Sequence, residues 1–119
     1  MLKYHLIWIP RRRRKVLIGD VADRLEGLLR EKAEELEVGI EHLAIQSDHL
    51  HMFVNAPPSL AVSQLVHRFK GYTSRVLRQD FPHLAKMPSM WTTAYFASTA
   101  GHVSEKKIQE YIEAQSTRA

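Results

Sequence analysis

Two periods of apolar residues alternate along the chain, and the switches between them outline seven elements. Residues 2–9 (LKYHLIWI) are rich in aromatic and β-branched side chains and predict a mostly buried strand. Pro10 and the run Arg11–Lys15 interrupt it. Val21, Leu25, Leu28, Leu29 and Leu36 then make the stripe of a helix, with Asp20 as its expected cap and Gly39 as its end. Ile40–Gln46 and His49–Asn55 alternate apolar with polar and are separated only by Ser47 and Asp48, which predicts a β-hairpin. Past Pro57 and Pro58, Ser59 is placed to cap a second helix. Its period runs through Val62, Leu65, Val66, Phe69, Tyr72, Thr73, Val76 and Leu77, and Phe81 and Pro82 close it. A loop over 83–91 leads to a fourth strand, Thr92–Ser98, and a last helix spans about 104–116. The order β-α-β-β-α-β is the split βαββαβ arrangement, an α+β, ferredoxin-like fold. It predicts a four-stranded antiparallel sheet with two helices on one face and an additional C-terminal helix.

Length and composition narrow the class. A chain of 119 residues forms one domain, taken here as 1–119, and buries roughly two-thirds of its unfolded surface without staples. The absence of cysteine excludes a disulfide scaffold, thiolate zinc sites and a cysteine nucleophile. No apolar run approaches a membrane span of ~20 residues, and the first residues carry their charge after the apolar stretch, the reverse of a signal peptide. A soluble, cytoplasmic protein with no membrane partner is expected. Net charge is +4, but unevenly spread: residues 20–48 hold nine acids against Arg24, Arg30 and Lys32, so the remainder carries +10. Such separation suits an anionic partner, nucleic acid first, although a basic loop kept soluble by its own charge accounts for it equally well.

Three constellations could carry chemistry. In a strand, His49 and His51 share one face while Leu50, Met52 and Val54 share the other. The aliphatic set must meet the helices, which leaves both imidazoles on the open face, where two rings at this spacing can chelate one divalent ion. Taken alone, such a pair is more often merely solvent-facing. Tyr111 and Gln115 lie one turn apart on the last helix. Their bland reading is a packing ring and a surface amide, yet an activated tyrosine oxygen is a nucleophile and an amide carbonyl can ligate a hard metal. The polar face of the second helix carries His67, Arg68, Lys70, Ser74, Arg75 and Arg78, and Arg11, Arg12, Arg13, Arg14 and Lys15 form a basic loop at the sheet rim. Both could follow a phosphate backbone.

Together these residues resemble the single-tyrosine HUH transposases of small insertion sequences, the IS-two-hundred-like family, over nearly the whole chain. Ser47-Asp48-His49-Leu50-His51 is similar to that family's histidine–hydrophobic–histidine motif, and Lys70-Gly71-Tyr72-Thr73-Ser74-Arg75 to its second-helix signature. Trp91 with Tyr95-Phe96 and Gly101 resembles its fourth-strand block, and Tyr111-Ile112-Glu113-Ala114-Gln115 its catalytic helix. Some members carry a longer C-terminal tail than the four residues that follow Gln115 here.

The resemblance implies cleavage and rejoining of single-stranded DNA at hairpin-bearing element ends in a bacterial or archaeal cytoplasm. Tyr111 would attack the scissile phosphate to form a 5′-phosphotyrosine. His49, His51 and Gln115 would hold Mg²⁺ or Mn²⁺, with Asp48 a partner of a ligating histidine, and a homodimer would share its active sites between subunits. Two other classes share parts of the pattern. A rolling-circle initiator or relaxase-like nickase has the same metal motif, usually in a larger chain and often with two tyrosines. A non-catalytic RNA-recognition-type module has the same element order, but reads bases with aromatics on the central strands where this chain has histidines.

Overall fold

The computed structural model describes residues 1–99 and 101–116; the last three residues of the expected domain lie outside them. Strand β1 (Leu2–Trp8) leads through a single 3-10 turn (Arg11–Arg13) to helix α1 (Gly19–Glu35). Strands β2 (Gly39–Gln46) and β3 (His49–Ala56) follow, then helix α2 (Val62–Asp80), a short α3 (Pro82–Ala85), β4 (Phe96–Ser98) and α4 (Glu105–Ser116). The strands form one antiparallel sheet in the order β2-β3-β1-β4, the topology that the element order predicts. Among the described residues, no helix is long and apolar enough to cross a membrane.

Alternation along β1 and β3 sorts the interior into two parts. Leu6 and Trp8 of β1 and Leu50, Met52 and Val54 of β3 are fully buried against Leu25, Leu28 and Leu29 of α1 and Leu65, Val66 and Phe69 of α2. The Trp8 ring meets Trp91 edge-on at 6.1 Å and Phe69 at 6.3 Å. On the opposite face, Ile7 and Ile9 pack against Ile108 and Ile112 of α4, with Phe96, Val103 and Tyr111 around them. The sheet is therefore covered on both sides, by two helices on one face and by the C-terminal helix on part of the other.

The helix ends differ in detail from the sequence reading. Asp20 lies in the first turn of α1 rather than at its cap, because Gly19 takes a left-handed φ of 54° and turns the chain straight into the helix. At the other end Glu37, not Gly39, holds the left-handed position (φ 59°), and the Val38 amide closes back on the Ala33 carbonyl at 2.8 Å. Ser59 is used in a turn closed by the Leu60 amide on the Pro57 carbonyl; α2 starts later, with the Gln64 side chain accepting from the Ala61 amide. Ser104 does cap α4, its hydroxyl accepting from the Lys107 amide at 3.1 Å.

The fourth strand is shorter than the expected Thr92–Ser98. Trp91 bridges Pro10 and the Thr92 amide donates to the Ile9 carbonyl, but pairing resumes only where Phe96 faces Ile7. The segment between bulges off the sheet and is held by Lys70 of α2, whose amine donates to the carbonyls of Thr92 (2.5 Å) and Ala94 (3.2 Å). Lys70, a candidate for phosphate contact, thus directs two of its three donors to the bulge. Trp91 is fixed from the same helix: its indole N–H donates to the Thr73 hydroxyl (3.1 Å), which itself donates to the Phe69 carbonyl (2.8 Å).

Two measurements check this arrangement. Thr73→Val keeps the side-chain shape but leaves the Trp91 indole N–H unpaired in the core, and should cost about 1–3 kcal/mol in urea denaturation. Burial pushes the Lys70 amine from 10.5 down to about 8. Below pH 8 the folded and unfolded chains both carry the proton, and the cost of burying the charge is felt in full. Between pH 8 and 10.5 the folded chain has released a proton that the unfolded chain still binds, so this group raises stability as pH rises there. Thermal unfolding from pH 7 to 10 should show that contribution in the wild-type chain and its loss in Lys70→Met.

Candidate active site

The two-residue turn Ser47-Asp48 sets the register of the hairpin, pairing Gln46 with His49 and Ala44 with His51. His49 and His51 consequently project from the face opposite α1 and α2, as alternation requires, while Leu50 and Met52 are fully buried on the helix side. On β1 the same face carries His5, which sits beside His51 with Nδ1 3.0 Å from Nε2 of its neighbour and stacks on Phe53 at 4.3 Å. His42 of β2 meets the His51 ring edge-on at 5.7 Å.

This imidazole cluster decides the charge of His51. Burial first, then the neighbouring His5, His42 and His49, push it down from 6.5 to about 4. At neutral pH it is uncharged and retains a lone pair. His49 is held differently: its Nδ1 lies 2.9 Å from Oδ1 of Asp48, while Oδ2 of Asp48 accepts from Nε of Arg13 at 2.8 Å. Burial alone would raise the Asp48 carboxyl, but the hydrogen bonds from Arg13 and His49 outweigh it and hold the group below the usual carboxylate range. With Nδ1 of His49 engaged by a carboxylate, Nε2 is the nitrogen left to ligate, the arrangement that metal-binding histidines use.

Tyr111 and Gln115 sit on α4, which docks on this same face. The Tyr111 ring packs against Phe96 at 5.9 Å, and Phe96 is paired with Ile7, itself paired with His51. The tyrosine hydroxyl is buried without a hydrogen-bond partner among the described residues, and burial pushes it up to about 12. Gln115 is buried, 9% exposed. The fold thus puts tyrosine, glutamine and both histidines on one side of the sheet, with the tyrosine two strands across from His51 and not bonded to it.

The donor set suits a divalent cation in its chemistry. It offers a neutral imidazole, a second imidazole whose tautomer a carboxylate orients, a buried amide and a buried phenol. Among the described residues no three His, Asp or Glu side chains converge as a metal site, so a cation here needs a further donor such as Gln115. Alternation places His5 on the His51 face, but reading 2–9 as a mostly buried strand does not single it out.

The nine basic residues singled out for DNA separate by what they touch. Arg13 is tied to Asp48 and Lys70 to the bulge; Arg78 donates to the carbonyls of Met87 (2.8 Å) and Ala85 (3.3 Å), holding α3 to α2. Arg11 reaches Ser89 at 3.3 Å. Arg12, Arg14 and Lys15 are exposed on the loop beside α4. Arg68 and Arg75 are exposed on α2, the first 3.6 Å from Glu35 and the second lying over the Tyr72 ring at 5.5 Å.

Known proteins resemble this chain in sequence and fold. A family model described as "Transposase IS200 like" matches residues 1–115. The chain is 32% identical over 117 residues to the ISDra2 transposase TnpA of Deinococcus radiodurans, covering 96% of this chain and 84% of that protein. It is 31% identical over 116 residues to the transposase for insertion sequence element IS200 of Salmonella typhimurium, covering 95% and 76%. A crystal structure assigned to a transposase of Deinococcus radiodurans superposes with a TM-score of 0.88 at 33% identity, covering 96% of this chain and 90% of that one. The REP-associated tyrosine transposase, solved bound to a REP hairpin, shares the fold at 13% identity with a TM-score of 0.57, over 93% of this chain and 62% of that one. With a family match over almost its full length and relatives above 30% identity, the chain belongs to the IS200-like transposase family.

Proposed function

We propose that this transposase cuts and rejoins single-stranded DNA at the ends of an insertion sequence through a covalent bond between Tyr111 and a 5′ phosphate. The observation that carries the reading is the common face: a tyrosine helix docks on the side of the sheet from which His49, oriented by Asp48, and the neutral His51 project. In the cleavage step a bond forms from Tyr111 Oη to phosphorus as the bond to the 3′ oxygen breaks. The phenol proton leaves Oη and the departing oxygen gains one, which yields a 5′-phosphotyrosine and a 3′-OH. Attack by another 3′-OH reverses the exchange and rejoins the strand, because the phosphotyrosine keeps the energy of the phosphodiester. His49, His51 and Gln115 would hold Mg²⁺ or Mn²⁺, which supplies charge neutralisation on the phosphate oxygens when bound.

The docked state of Tyr111 bears on how the step starts. A phenol raised to about 12 and packed beside Phe96 is a poor nucleophile where it lies, and a shift of α4 would present it. The helix is held by four buried isoleucines, Ile7, Ile9, Ile108 and Ile112, apart from the main core. Such a small dock suits exchange with the equivalent surface of a second copy, and we propose a homodimer in which the tyrosine helix of one subunit completes the histidine site of the other. A hairpin-bearing strand is the proposed substrate, supported by the hairpin bound to a tyrosine transposase of the same fold. Arg12, Arg14 and Lys15, exposed beside α4, are placed to meet its phosphates, with Arg68 and Arg75 on α2.

Two experiments test the reading. Tyr111→Phe should leave folding and DNA binding intact while abolishing the covalent adduct formed with labelled single-stranded DNA and Mn²⁺. An adduct with the variant would reject Tyr111 as nucleophile. Affinity for a hairpin-bearing single strand should fall with salt at about −0.7 in log K per log[salt] for each phosphate contacted. Arg12→Ala and Arg14→Ala should each flatten that slope, Arg78→Ala should not, and a fully paired duplex should bind more weakly at equal salt.

A further inference from the structure

Five basic residues in a row present themselves as a phosphate patch, but Arg11 and Arg13 are half-buried and engaged within the chain. Arg12 and Arg13 both adopt left-handed backbone angles, φ 58° and 55°, which non-glycine residues seldom take. The turn they make leaves Arg12 exposed and brings the Arg13 guanidinium to Asp48, with Nε 2.8 Å from Oδ2. The same stretch is fastened to the hairpin turn a second time, by the Leu17 amide on the Ser47 carbonyl at 3.0 Å. Asp48 uses its other oxygen, Oδ1, on Nδ1 of His49 at 2.9 Å, and its side chain is 13% exposed. Each carboxylate oxygen therefore has one partner, and the carboxylate cannot rotate toward water without releasing both. The arginine turn also packs beside α4, so one loop borders both the oriented histidine and the tyrosine helix.

We infer that Arg13 is a positioning residue: through Asp48 it fixes the ring of His49 with Nε2 as the ligating nitrogen, rather than contacting DNA. The inference rests on the metal-assisted reading proposed above. Removing Arg13 frees Asp48 to turn, and His49 then loses the group that selects its tautomer and holds its plane. Loss of such an outer partner typically weakens metal binding about 10- to 100-fold.

The test measures Mn²⁺ binding by the intact DNA-free chain, using titration calorimetry, for wild type, Arg13→Gln, Arg13→Lys, Asp48→Asn, the double variant Arg13→Gln/Asp48→Asn and His49→Ala, with circular dichroism as the folding control. Arg13→Gln should weaken Mn²⁺ binding by at least about tenfold, and Arg13→Lys should recover most of the loss. The double variant should bind no more weakly than Asp48→Asn, because two residues in one relay are not additive. Should Arg13→Gln not fold, the Arg13→Lys and Asp48→Asn comparison with wild type carries the same expectation: a smaller loss for lysine than for asparagine. Unchanged Mn²⁺ affinity in Arg13→Gln, together with weaker single-strand binding and a flatter salt slope, would overturn the inference and make Arg13 a phosphate contact. Absence of Mn²⁺ binding by the wild-type chain, or binding indifferent to His49→Ala, would overturn the metal reading and this inference with it.

Discussion

Burial of β1 on both faces is the constraint from which the rest of the structure follows. Its even-numbered side chains, Leu6 and Trp8, enter the main core under α1 and α2, and Ile7 together with Ile9, just past the strand end, forms the dock of α4. The place of β1 between β3 and β4 also pairs its backbone on both sides. The large core lies under α1 and α2, and a small patch of isoleucines seats the helix that carries Tyr111. Packing energy follows buried apolar area, so the two attachments differ in strength as they differ in extent.

Polarity on the second face is handled by pairing rather than by exposure. His51 is kept neutral by burial and by three neighbouring imidazoles, and it stands in hydrogen-bonding contact with His5. His49, one pleat away, is oriented by a carboxylate that an arginine holds in turn. The two rings therefore enter any shared chemistry with different preparation, one by the exclusion of charge and the other by the selection of a tautomer. Tyr111 contributes the opposite feature, a hydroxyl buried with no hydrogen-bond partner among the described residues, and such a group weighs against the docked position of its helix.

The basic residues show how little charge alone says about role. Arg13, Lys70 and Arg78 could each be assigned to a phosphate by type and position, yet their donors end on Asp48 and on backbone carbonyls. Cationic side chains with long stems can fasten distant parts of the chain, and here they secure the hairpin turn, the bulge before β4 and the short α3. The exposed Arg12, Arg14 and Lys15 retain the role that their charge suggests.

The sequence by itself determined the order of the four strands and three long helices, the β2–β3 hairpin and the face on which His49 and His51 stand, because side-chain periods of 2 and 3.6 are local properties of the backbone; the short α3 falls where a loop is expected. The two-residue separation of β2 and β3 left one register that buries Leu50, Met52 and Val54 together. The helix starts, the shortened β4 and the partners of the arginines were decided by the tertiary structure. Asp20 and Ser59 are good caps by type, but cap choice yields to where the core places the first turn. The bulge before Phe96 exists because Trp91 is held by Thr73 and Pro10 while the following carbonyls are drawn to Lys70. Arg13 is the clearest case: in a run of arginines nothing local distinguishes it from Arg12 or Arg14. Only the left-handed turn, set by the docking of this loop against the Ser47-Asp48 corner, aims its guanidinium at a carboxylate 35 residues away in the chain.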